Sequence, residues 1–126
     1  MDDDLPFSDP EVHRAAQEDL AGVVRLLLEA TRVGLRRARM DFDFPLGLLA
    51  QDAANTWSLA SDRIGPDPHH ICCRPMSPGR DFFSLICEAE QILARRPIEQ
   101  WPGGTSELVA MVCDLIGASR LNGFDR

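Results

Sequence analysis

Between Ser8 and Met40 the chain carries one uninterrupted helical signal of about thirty residues, and this constrains the fold more than any other feature. Ser8-Asp9-Pro10-Glu11 supplies a capping serine, a proline tolerated in the first turn and the glutamate of a Ser-x-x-Glu box. Val12, Ala16, Leu20, Val23, Leu27 and Ala30 then recur at spacings of three and four, which puts them on one face. A helix of that length spans roughly 45 Å at 1.5 Å per residue. The rest of the chain has to cover its apolar face. Gly22 and Gly34 lie inside it and mark places where a bend or a close helix crossing is expected.

The remainder reads as that cover. Asp41-Phe42-Asp43-Phe44-Pro45 turns the chain and offers the next cap, after which Leu46, Leu49, Ala53, Trp57, Ala60 and Ile64 keep the same spacing up to a Gly65-Pro66 stop. Prolines at 66, 68 and 75 predict a loop over 65–77. Ser77-Pro78 opens a third helix with Phe82, Ile86, Ala89 and Leu93 facing inward, ending before Pro97. Thr105 caps a fourth, in which Leu108, Val112, Leu115 and Ile116 face inward and which Gly123 ends. No useful period-two alternation occurs, so no sheet is expected. The predicted fold is an all-α, single-domain bundle of four main helices, at about 9–40, 45–64, 78–96 and 105–121. Residues 1–8 form a frayed acidic N-terminus and 9–123 the domain, a size that buries one core without staples.

Composition narrows the function classes. A net charge of −7 disfavours a general nucleic-acid binder, which needs cations to displace phosphate counterions. No apolar run approaches the roughly 20 residues of a membrane span, and Met1-Asp2-Asp3-Asp4 is acidic where an export signal is basic. A cytoplasmic protein with reduced cysteines is the expectation, Cys87 and Cys113 being small buried hydrophobes. All 13 basic residues are Arg, so Gly103-Gly104-Thr105 lacks the lysine of a phosphate-binding loop. No Glu-x-x-His pair is present for a di-iron bundle. No enzyme activity and no cofactor are predicted.

Three groups of residues invite a functional role. His69, His70, Cys72 and Cys73 are chemically competent metal ligands, but neighbouring side chains diverge, so four within five positions do not readily surround one tetrahedral ion. A Cys nucleophile beside His70 lacks a third group fixed to orient it. Arg32, Arg36, Arg37 and Arg39 form a basic cluster inside an acidic chain. Their place near a helix C-terminus suits the macrodipole, and they also spread over a surface able to grip carboxylates or phosphates. Trp101, in a Pro/Gly-rich connector, either plugs the end of the bundle or anchors a partner.

The leading functional expectation is a non-catalytic protein-interaction module, a small bacterial or phage-type regulator, adaptor or inhibitor. Its interaction residues would be Arg32, Arg36, Arg37, Arg39 and Trp101, and its partner a protein acidic at the contact face. The long first helix leaves an apolar end, which a homodimer would cover. Two alternatives are a metal- or redox-responsive protein using the 69–73 segment, and a nucleic-acid-mimicking or nucleic-acid-associated protein exploiting the acidic surplus.

Overall fold

The long helix is the spine of the assembly. In the computed structural model, which describes residues 10–64 and 80–124, α1 (Pro10–Asp41) runs for 32 residues. It is followed by α2 (Phe44–Ile64), α3 (Phe82–Leu93), a 3-10 turn at Ile98–Gln100 and α4 (Thr105–Leu121). No strand occurs among the described residues. Helix α1 packs against both α2 and α3, and α4 closes the ring by packing on the same two from the opposite corner. Helices α2 and α3, consecutive in the chain, are therefore diagonal in the bundle.

Most of the positions the periodicity picks out face inward, although Trp57 is only partly buried and Val24, Leu26, Leu85 and Ile92, which it does not pick out, are buried as well. Ala16, Leu20, Val23, Leu27 and Ala30 of α1 are fully buried, and Leu46, Leu49, Ala53, Ala60, Phe82, Ile86, Ala89, Leu93, Leu108, Val112, Leu115 and Ile116 join them in one core. Thr31, Thr56 and Ser119 are buried, and each donates its hydroxyl to the carbonyl four residues back at 2.8 Å.

Gly34 makes a close crossing. A Cβ placed there would lie 2.9 Å from the Ala50 Cβ of α2 and 2.9 Å from Cδ1 of Phe82 on α3, closer than carbon atoms pack. Only a residue without a side chain lets these three helices meet at this point. Gly22 is different, since its added Cβ would sit 3.8 Å from Cδ1 of Ile92 in ordinary contact.

Several expectations need correction. Helix α3 begins at Phe82, because Asp81 caps it by accepting from the Ser84 amide at 2.7 Å; residues 77–79 lie outside the described residues. It ends at Leu93, since Arg96 precedes a proline and is disfavoured from continuing the helix. Gly104, with φ of 91°, holds the N-cap position of α4, while Thr105 is its first residue and donates its hydroxyl to the Pro102 carbonyl at 2.6 Å. Cys113 is exposed, because it follows inward-facing Val112 by one position, a rotation of roughly 100°. The N-terminal stretch 1–8 and the predicted loop at 65–77 fall outside the described residues.

The two glycines should respond in opposite directions to alanine. Gly22→Ala gains helix propensity with no clash and is expected to raise stability by up to about 1 kcal/mol. Gly34→Ala gains the same propensity but overpacks a three-helix contact, typically about 1–3 kcal/mol, so its denaturant midpoint should fall. Equal midpoints for the two variants would show that no close crossing exists at Gly34.

Candidate interaction surface at the α1–α2 corner

The basic cluster divides once it is wound onto α1. At roughly 100° per residue, Arg32, Arg36 and Arg39 share one outward stripe with Met40, whereas Arg37 lies about a quarter-turn beyond Arg36. Arg37 is engaged: its Nε sits 3.5 Å from Asp41 Oδ2, and it lines a cleft of about 250 Å³ together with Asp43, Asp81, Phe82 and Phe124. Arg32 faces Glu29 at 3.9 Å. Arg36 and Arg39 are exposed and make no ion pair among the described residues. Within the cluster, these two are the cations left without an ion pair among the described residues.

Beside them lies an apolar surface that the sequence pattern did not single out. Met40 is 72% exposed, Phe42 93%, Phe44 79% and Leu48 58%, all within nine residues of chain. Phe42 adopts φ of 54° and ends α1 as a left-handed residue, with the Asp43 amide donating to the Ala38 carbonyl at 2.9 Å. Glycine ordinarily fills that position, since a side chain there crowds the backbone. Asp43 then caps α2, its Oδ1 accepting from the Leu46 amide at 3.1 Å. The turn thus combines backbone strain with two nearly bare aromatic rings. The signal for it is present in the chain: Asp41-Phe42-Asp43-Phe44-Pro45 provides no Gly or Asn for a turn that needs one.

Trp101 belongs to the core rather than to this surface. It is 6% exposed, and its indole N–H donates to the Leu93 carbonyl at 3.2 Å. The Arg96 guanidinium stacks 5.0 Å from the ring centroid and pairs with Asp19 of α1, which Arg95 also approaches at 3.5 Å. Trp101 is the plug of the bundle end, tied to α1 through Arg96.

The remaining chemistry is sparse where it is described. Burial pushes the Cys87 thiol above its ordinary value against the opposing charge of Arg120, with Glu90 and Asp81 reinforcing the rise. A neutral thiol is a poor nucleophile. His69, His70, Cys72 and Cys73 lie outside the described residues. Among the described residues no group of three or more His, Cys, Asp or Glu is placed to hold a metal ion, and no helix is long and apolar enough to cross a membrane. Comparison with protein-family models, curated proteins and solved structures finds no match to this chain.

Phe42 contributes little to folding if its ring touches only water. Phe42→Gly removes a left-handed strain of about 1–2 kcal/mol and adds unfolded-chain entropy of about 0.4–1 kcal/mol. Urea denaturation should therefore show stability unchanged or raised. A loss above about 1 kcal/mol would mean that the ring supports the fold.

Proposed function

We propose that this protein is a non-catalytic interaction module, a small regulator or adaptor of bacterial or phage type, which docks through the α1–α2 corner. One observation carries the proposal: Phe42 is held in a strained backbone conformation with 93% of its surface in water. Glycine would make the same helix-ending turn without the strain, so the fold does not account for a phenyl ring at this position, and such outliers cluster at ligand-contacting positions. Met40, Phe44 and Leu48, within six residues of it in the chain, are further exposed apolar side chains. Arg36 and Arg39, in the last turns of α1, add charge that finds no acid among the described residues.

The partner that fits is a protein with an apolar slot rimmed by carboxylates. The rings fill the slot and exclude water, while the guanidiniums orient the encounter and penalise partners with a basic rim. Arg37 is the exception within the cluster, since Asp41 already faces it.

Capture from an extract of the native host, with the bound proteins identified by mass spectrometry, tests this function. The wild-type chain should retain a specific protein that Phe42→Gly and the Arg36→Glu/Arg39→Glu pair both lose by tenfold or more, with helical content unchanged. Added salt should weaken capture as well, because the Debye length falls from about 10 Å at 0.1 M to about 3 Å at 1 M. Identical retention by all three forms would place the binding surface elsewhere.

A further inference from the structure

Only two residues, Phe42 and Asp43, separate α1 from α2. So short a link leaves two ways to join these helices. One is the hairpin; the other is a single continuous helix from Pro10 to Ile64, which would span roughly 80 Å. The hairpin requires the left-handed Phe42, with φ of 54°. A continuous helix would release that strain and give the amides of Phe42 and Asp43 ordinary helical partners. The strain therefore favours opening. Pro45 opposes it. In the hairpin Pro45 is the second residue of α2, where no helical partner exists for an amide and none is missed. In a continuous helix it would lie in the interior, offering no donor to the Asp41 carbonyl and pressing its ring against that group. A proline inside a helix is more unfavourable than one left-handed residue in a turn. With Pro45 in place the hairpin prevails.

The packing between α1 and α2 would survive such an opening. Gly34 meets Ala50 and Ala38 meets Gly47, and both pairs are centred on the turn at 42–43. A helix running straight through the turn presents the same partners, in the same register, to a second copy lying antiparallel about a twofold axis at the turn. Helix α1 of each copy then packs on α2 and α3 of the other, so the contacts of the bundle are kept and only the hinge differs. Exchange of this kind is the known hazard of short, strained hinges. We infer that Pro45 is a stop built into the α1–α2 turn, holding the strained hairpin closed against the exchange of α1 between two copies. The device is separate from whatever docks at the corner, since it concerns the backbone of the turn and the internal face of α1.

Sedimentation velocity of the full chain over a concentration series tests the stop. Pro45→Ala should lower the dissociation constant of a dimer by about tenfold or more relative to wild type, with helical content kept. Phe42→Gly/Pro45→Ala should return toward wild type, because glycine removes the strain that drives opening and weakens the continuous helix. A cross-link identifies the exchange itself. A Cβ at position 47 lies 3.6 Å from the Ala38 Cβ, within the range of a disulfide. Ala38→Cys/Gly47→Cys, in chains whose four natural cysteines are replaced by serine, should oxidise to a covalent monomer when Pro45 is present. With Pro45→Ala added, the product on a non-reducing gel should be a covalent dimer. A Pro45→Ala chain that sediments as wild type, loses its helix or cross-links only within one chain overturns the inference. So does a Phe42→Gly/Pro45→Ala chain that dimerises as strongly as Pro45→Ala alone.

Discussion

The missing side chain at Gly34 is the constraint on which the rest of the structure depends. With only hydrogen at that position, α1 approaches the Ala50 Cβ of α2 and the ring of Phe82 on α3 at the same level. Small residues recur along these helices as well, with Ala30, Ala50, Ala53 and Ala60 all fully buried. Small residues let helix axes come together at the short end of the usual 8–10 Å range, so leucines above and below the crossing interlock. From this close contact the ring follows, with α1 touching two neighbours and α4 closing opposite it.

The two ends of α1 are treated differently. Near its N-terminal half, Asp19 receives Arg95 and Arg96, and Arg96 lies against Trp101, so the α3–α4 connector is fastened to α1 by charge and by an aromatic plug. At the C-terminal end nothing comparable covers α1 among the described residues. The turn to α2 is made with Phe42 in the left-handed region and four large apolar side chains facing water. Stability is concentrated at one place and surface available for association at the other. A chain selected for stability alone would place glycine at position 42.

Sequence periodicity exposes the helices because the apolar repeat and the caps are local properties, and inward residues such as Leu20, Ala53, Ile86 and Val112 are legible from spacing alone. Other features depend on competition between local signals. The start of α3 is set by Asp81, whose carboxylate accepts from the Ser84 amide. The helical repeat of α4 does not distinguish the exposed Cys113 from a core cysteine unless the inward direction is already known. The arginine cluster was visible as composition, but its division into engaged Arg37 and outward Arg36 and Arg39 requires the helix geometry and the position of Asp41. Least legible was the corner itself. Two phenylalanines in a turn read equally well as a staple folded onto the core, and only the tertiary arrangement leaves them in water.

Native-state hydrogen exchange tests the central claim most directly, because it reports the opening free energy of each segment. If the Gly34 crossing organises the bundle, the slowest amides should lie together in the middle of α1 and in the facing turns of α2 and α3. These amides should open only with global unfolding, while those from Met40 to Phe44 exchange far faster. Slowest exchange confined to α4, with the middle of α1 opening as readily as the corner, would contradict the account.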